Sequence, residues 1–399
     1  MLAILRTPGV MSLFLASCVA RLPLGALGLL LVLHTRDLTG SYARGGLVTG
    51  IYVLALCVSA PILARMVDRR GQTAVLQAGA LLEAAAVLAL ALLPRAAPFG
   101  AIVAAAILAG LSQPPIGSCM RALWPSLFEG EAARHAAYSL EGVALEVVYI
   151  TGPVAIVAGI GSWSIRAALA FCAVVVVAGN LAFSLNRVSR AWQPDGDRGP
   201  GMAGALRGSG MRVLVAAFAL AGLALGAVEV AVPAALDEIG RRNLTGLLFG
   251  FWGLGSMLAG LAVARAGPGG NAPRRLALLL VAWGAAHTAI GLAGSPAVFG
   301  VLLLAAGFAI APTFVTANGM LDELAPRGTL TEAFTWLSTG MGGGIALGSA
   351  IAGAVSESAS PGTAMVVLGT GAFLAAGIVA LTARGPLRAA RAVPATTAS

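Results

Sequence analysis

Six ionisable residues, Arg21, Glu83, Glu141, Glu146, Glu229 and His287, stand inside long apolar runs of this 399-residue chain. A charge near the centre of a bilayer costs roughly 2.5–3.5 kcal/mol on insertion scales, so such a side chain faces protein or a water-filled cavity. There it pairs with an opposite charge, binds a polar solute or carries a proton. Arg21 lies about ten residues, and Glu146 about nine, into runs of the same direction. At ~1.5 Å per residue both reach similar depth. Glu141 precedes Glu146 by five residues. At about 100° per residue the two point about 140° apart and share no face. Gln113 precedes Pro114 and Pro115, and Asn318 follows Pro312 in a later run. Proline breaks the helical ladder and leaves carbonyls to be met by protein or water. An amide beside such a break either binds a solute or packs helices together.

Other chemistries find no residues to run on. The chain has no HExxH, no phosphate-binding glycine loop, no Ser–His–Asp set and no Cys/His cluster. Cys18, Cys57, Cys119 and Cys172 all fall in apolar runs without a CxxC pair, as small core residues do. No enzyme activity, cofactor or metal is expected. A nucleotide-driven pump is not expected either, since no segment is long enough for a soluble ATPase domain. All 25 basic residues are Arg, against 16 acids, for a net charge of +9. They are scattered over short loops without a basic stripe interleaved with aromatics, which argues against a nucleic-acid partner. With abundant Ala and Gly, the absence of Lys reads as the codon bias of a GC-rich genome, and a bacterial source is expected.

Hydrophobic residues fill 58% of positions and charged residues 10%, where a soluble protein carries roughly 25% charged. The apolar runs are near 20 residues long, the length a helix needs to cross a hydrocarbon core of about 30 Å. Lipid offers backbone groups no partner, so the spans must be helices. Continuous rather than alternating runs exclude a β-barrel. Twelve spans are predicted, at 11–33, 45–64, 74–93, 98–120, 137–160, 165–186, 211–235, 244–264, 275–293, 296–319, 332–355 and 362–383. The fold class is therefore an all-α membrane protein with a bundle over 1–186, a polar linker over 187–210, a second bundle over 211–383 and a tail over 384–399. The first run is too long for a cleavable signal peptide, and no small-x-small site follows it. With the N-terminus inside, eighteen arginines fall in cytoplasmic segments, six in outer loops, and Arg21 within a span. That asymmetry predicts both termini in the cytoplasm.

The halves echo each other. Leu22, Gly25 and Ala26 match Leu223, Gly226 and Ala227 at an offset of 201. Ala109, Gly110 and Pro115 match Ala306, Gly307 and Pro312 at 197. Ala137 and Gly152 match Ala333 and Gly348 at 196, as Arg69 and Gly71 match Arg265 and Gly267. Two six-helix repeats of the same orientation follow.

Between the second and third spans, residues 64–73 read Ala-Arg-Met-Val-Asp-Arg-Arg-Gly-Gln-Thr. This resembles the signature loop of the major facilitator superfamily, Gly-x-Leu-x-Asp-Arg-x-Gly-Arg-Arg. Asp68, Arg69 and Gly71 match it, Ala64 and Met66 depart conservatively, and Gln72 and Thr73 lose the final basic pair. The resemblance implies twelve helices in two pseudo-symmetric six-helix bundles around a central cavity. It implies that spans 1 and 5 are neighbours beside that cavity, with spans 3 and 9 peripheral. Arg21 and Glu146 are then an ion pair, or two cavity groups bridged by substrate or water; a purely structural pair is the alternative. Glu229, on a cavity-lining span, is a second proton site. Gln113 and Asn318 complete the substrate and proton cavity. Glu83 and His287, on peripheral spans, read as groups satisfied by a neighbouring helix.

In the family, such an aspartate closes the cytoplasmic side by docking near the start of span 11. Thr329-Leu330-Thr331-Glu332 resembles a capping box there. The cytoplasmic gate is thus Asp68, Arg69 and Gly71 with Glu141, Thr329 and Glu332. Gly152-Pro153 resembles the Gly-Pro motif of family antiporters, although Arg121 lies at the cytoplasmic end of span 4 rather than deep within it. The expectation is a multi-pass monomer of the bacterial cytoplasmic membrane. It would move a small organic molecule by alternating access, coupled to protons, as an efflux antiporter. Proton-coupled uptake, or a non-transporting sensor on a transporter fold, are the alternatives.

Overall fold

A computed structural model describes residues 7, 9–128, 130–192, 204–266, 271–326 and 329–387. Linker residues 193–203, Gly267 and the tail from 388 onward lie outside the described residues. Among those described, the chain forms helices and no strand.

Twelve helical crossings run through the described residues. The first is α1 (Val10–Arg21) and α2 (Leu27–Thr39), joined by a 3-10 turn at Leu22–Gly25. Next come α3 (Tyr42–Arg70) and α4 (Gln72–Leu92). The fourth crossing is α5 (Phe99–Ser112) and α6 (Ile116–Leu127). The fifth is α7 (Glu131–Thr151), continued by a π-helical stretch at Gly152–Gly159. The sixth, α8 (Ile165–Ser184), closes the first bundle, and the short α9 (Arg187–Ala191) follows it. The second bundle holds α10 (Ser209–Glu238), α11 (Thr245–Ala266), α12 (Ala272–Ile290), α13 (Pro296–Leu324), α14 (Leu330–Ser358) and α15 (Pro361–Thr382). Ten crossings are long and apolar enough to span a membrane by length and composition. The other two, α12 and α14, are less apolar because one opens with Arg274 and Arg275 and the other is rich in glycine.

Side chains set where these helices start and break. Ser41, Ser164, Asn271, Ser295 and Ser360 each accept the backbone N–H three residues on, capping α3, α8, α12, α13 and α15. Pro23 lies in the 3-10 turn that interrupts the first crossing, and Pro114–Pro115 separate α5 from α6. Pro153 falls in the π-helical stretch, whose wider turn relieves the clash of its ring with the preceding turn. One carbonyl near the α5 break, that of Gly110, is met by the Ser59 hydroxyl at 3.0 Å. Gly71 ends α3 at φ 80, a left-handed backbone that glycine adopts without strain.

The echo between halves has a packing cause. A Cβ on Gly25 would lie 2.9 Å from the Val148 carbonyl of the fifth crossing; one on Gly226 would strike the Ile345 carbonyl of α14. Gly152 meets the Leu22 carbonyl in the same way, and Gly348 meets that of Leu223. The repeated residues are thus those that let one helix touch its neighbour's backbone, the close approach that membrane bundles rely on. Replacing Gly348 by Val should cost about 1–3 kcal/mol of overpacking strain. We expect a lower midpoint in a heating series read by size-exclusion of the detergent-solubilised protein. Gly377→Ala, where an added Cβ meets nothing within 4 Å, should leave the midpoint unchanged.

Candidate functional site

The helix ends carrying Val10 and Asp68 form the near end of the molecule; those carrying Asp37 and Arg242 form the far end. The two bundles join in the far half. Helix α3 runs antiparallel to α14, and Tyr42 touches Gly353, Gly46 touches Ser349 and Gly50 touches Ala346, backbone to backbone. The Cys57 thiol then lies against Gly342. On the other side, Gly246 of α11 packs on Pro153 and Ala158, and Gly253 on Ile150. Polar contacts crown this seam. The Arg242 guanidinium forks onto the Asp37 carboxylate at 2.7 and 2.8 Å. The Tyr42 hydroxyl donates to Asp237 at 3.1 Å, with the Pro233 carbonyl oxygen 3.3 Å away. Arg36 pairs with Asp237 at 3.6 Å, and the Glu357 carboxylate accepts the Ala43 N–H at 3.2 Å. Each of these contacts crosses from one bundle to the other.

Deeper, one carboxylate organises three crossings. Glu141 of α7 is buried, and its Oε1 takes the Arg21 guanidinium of α1 at 3.1 Å and that of Arg121 in α6 at 3.4 Å. Its Oε2 takes the Trp124 indole N–H at 3.2 Å. Its Nε and Nη2 donate to the Ser17 hydroxyl, one turn back on its own helix. All three nitrogens of the buried Arg21 are thus engaged. The Arg121 side chain, by contrast, is 54% exposed and holds Glu141 by one long bond. Two guanidiniums share one negative charge.

A second group lies between the bundles. Glu229 of α10 faces Gly28, with its Oε2 buried and without a hydrogen-bond partner. Glu146 accepts the Ser256 hydroxyl of α11 at 3.2 Å, across the bundle boundary. Tyr149, on α7, lies within electrostatic reach of Glu229, Glu146 and Arg21, which places it at the space between the halves. The Gln113 carbonyl accepts the Tyr52 hydroxyl at 2.8 Å, and Asn318 is half-buried on α13. An apolar cleft of about 340 Å³ between α1 and α7, lined by Phe14, Leu140 and Val147, is separate from this space. Val147 and Tyr149 point about 200° apart on one helix. Glu83 is buried in the first bundle. His287 stacks on Trp283 at 5.5 Å and bonds that residue's carbonyl at 2.8 Å, inside the second bundle.

At the near end Asp68, Arg69 and Arg70 are exposed, and Asp68 has no hydrogen-bond or ion-pair partner among the described residues. Its direction follows from the helix it sits on. Gly46, Gly50, Cys57 and Asp68 fall within about 40° of one another around α3 at 100° per residue, so Asp68 continues the stripe that packs on α14.

A family model, that of the Major Facilitator Superfamily, matches residues 13–279. The chain belongs to this superfamily. Solved structures agree on the facilitator fold. The peptide transporter POT in complex with sulfate superimposes with a TM-score of 0.75 at 15% identity, covering 95% of each chain. A mutant of the same transporter in complex with alafosfalin gives 0.77 at 14% identity, again over 95% of each chain. The human organic anion transporter MFSD10 gives 0.69 at 18% identity, covering 94% of this chain and all of that one. A search of curated proteins found no match. Family and fold together support membrane transport.

Three expectations for this facilitator's site change. Arg21 pairs with Glu141, not Glu146. The helix extends beyond the predicted start of the span at residue 137, since α7 begins at Glu131. Glu141 is then as deep in its helix as Arg21 is in α1, and it lies in the buried cluster rather than at the Asp68 loop. The capping box at Thr329–Glu332 does not form. Thr329 has φ −118 and ψ 15, not the extended backbone of an N-cap, and its hydroxyl donates to the Pro326 carbonyl at 2.7 Å. Glu332 accepts the Ala205 N–H at 3.2 Å and the Trp336 indole at 3.1 Å. The unmatched Gln72 is buried, donating to the Cys119 carbonyl at 3.2 Å and accepting Ser189 at 2.8 Å. An amide, which donates and accepts, suits that position better than the family's arginine. Trp124 and Ser17 were missed, although their spacings of three and four residues from Arg121 and Arg21 put each on its arginine's helix face. Replacing Glu141 by Gln leaves buried Arg21 without a counter-charge, at a cost of about 3–5 kcal/mol. Its thermal midpoint should fall well below wild type. Glu146→Gln keeps an acceptor for Ser256 and should cost no more than about 1 kcal/mol.

Proposed function

We propose that this facilitator is a secondary carrier of a small organic molecule, working by alternating access between its two bundles. The carrying observation is one-sided closure. The far half is sealed by helix backbones and crossing ion pairs, while Asp68 at the near end stands exposed. With the arginine-rich near end in the cytoplasm, this is an inward-facing state.

The register of α3 and α14 supports the near-end gate. Contacts step from Tyr42–Gly353 to Cys57–Gly342. Eleven further residues lead from Cys57 to Asp68 on α3, and from Gly342 to Thr331 on α14. Rocking the bundles closed at this end would bring the Asp68 carboxylate to the start of α14. Free N–H groups and the positive pole of the helix dipole favour an anion there.

Substrate would bind where Arg121 and Tyr149 meet the space between the bundles, with Gln113 and Asn318 as further polar contacts. Arg21, Arg121 and Glu141 together leave one positive charge uncompensated at membrane depth, which favours a substrate with an anionic group. Organic anions are the cargo named for MFSD10. The proton site in this reading is Glu229, a carboxyl between the bundles with one oxygen unpartnered. Such a group can exchange its proton whenever either half opens to water. Gly152–Pro153, packed against α11, remains the feature that favours efflux by antiport; uptake by symport uses the same parts. Proteoliposomes with an imposed pH gradient, screened with organic anions, neutral analogues and cations, test this. We expect gradient-driven movement of an anion, abolished by Glu229→Gln with substrate exchange retained. Movement of cations alone would overturn the substrate class, and gradient-driven transport undiminished in Glu229→Gln would remove that residue as proton site.

A further inference from the structure

The α3–α14 pair has a carboxylate near the C-terminus of each helix. Asp68 lies in the last turn of α3 and Glu357 in the last turn of α14. The two helices are antiparallel, so each carboxylate faces the N-terminus of the other helix. At the far end this contact is made. Ser41 caps α3 by accepting the Arg44 N–H at 3.0 Å, which leaves the Ala43 N–H unserved by its own helix. The Glu357 carboxylate takes that N–H at 3.2 Å, with the Ser41 hydroxyl, the Tyr42 N–H and Arg36 close by. The α3 cap is thus completed from the opposite bundle.

At the near end the roles are reversed and the contact is open. The N-cap residue of α14, Thr329, makes no side-chain cap bond, and Asp68 has no partner among the described residues. The register places Asp68 opposite the first turns of α14, as it places Glu357 opposite the first turn of α3. The two helices meet at Cys57–Gly342 and pivot about that point. Closing one end opens the other, so the two docked carboxylates exclude each other.

We propose that Glu357 is a gating residue, the far-end counterpart of Asp68, and that its bond to the α3 N-terminus holds the far end shut until Asp68 docks on α14. The proposal rests on the alternating-access reading above and adds what that reading lacks, a specific contact that must break for the far end to open. The bond joins a charged acceptor to a helix N-terminus, so losing it removes both a hydrogen bond and a charge–dipole attraction. Caps of this kind set a helix equilibrium by about fivefold.

Spin-label distance measurements on the reconstituted full chain decide the matter. One pair of labels at Ala96 and Gly294 spans the far end; another at Arg190 and Arg384 spans the near end. Cys18 and Cys57 are replaced by Ala in the background. Wild type should populate mainly the short far-end distance. Glu357→Ala should raise the far-open to far-closed ratio about fivefold, and Glu357→Gln, which keeps a neutral acceptor, by less. Asp68→Asn should move the ratio the other way, and Glu357→Ala with Asp68→Asn should return it towards wild type. A merely structural Glu357 would not produce that opposition. If Asp68→Asn shifts the ratio while Glu357→Ala does not, the proposal fails and alternating access stands. If every variant shows one fixed distance at each end, alternating access fails, and the proposal with it.

Discussion

The arrangement of this protein depends on the backbone contact between α3 and α14. Two helices in lipid gain nothing from the hydrophobic effect by touching, because hydrocarbon surrounds them either way. They hold together only by close van der Waals packing and by polar groups that lipid cannot satisfy. Gly46, Gly50, Gly342 and Gly353 remove the side chains that would keep the two axes apart. The same absence of side chains lets one helix roll or pivot on the other, so a seam that is tight at one end is open at the other. Gate, cavity and the relation between the halves follow from that one contact.

Charge is placed in the molecule at two levels. Near the surface, Asp37, Asp237, Arg242, Arg36 and Glu357 lie where water screens them, and each pair by itself contributes little. Such contacts suit a seal that must open. At membrane depth the Glu141 cluster is different in kind, because a buried charge without its partner is costly. Arg21 is buried and held by Glu141 and Ser17, whereas Arg121 keeps donors towards the exposed side. One arginine is fixed structure, and the other can meet a solute without dismantling the fold.

The fold was largely legible in the sequence, because length and apolarity decide what crosses a membrane. The predicted spans correspond one for one to the crossings, including α12 and α14, where Arg274, Arg275 and the glycines dilute the apolar signal. The loop at Asp68–Gly71 was legible because its residues have local duties: Gly71 takes a left-handed backbone and Asp68 a helix end. The echoing glycines were legible as a pattern, and their cause is the backbone contacts at Gly25, Gly152, Gly226 and Gly348. The site was legible only as a set of residues. Arg21 and Glu141 are 120 positions apart, and depth counted along single spans did not tell Glu141 from Glu146.

By itself, the sequence determined which segments enter the membrane, where they break, and which few charged groups go with them. These are properties of single helices, set by apolar run length, proline and capping residues. Only the tertiary structure decided which charges meet. It paired Arg21 with Glu141, gave Glu146 to Ser256, left Glu229 facing Gly28, and set Glu357 on the start of α3. Each of those choices depends on the rotation and relative height of two separate helices. Both are fixed by how the glycine-lined backbones pack, a quantity that no single span encodes.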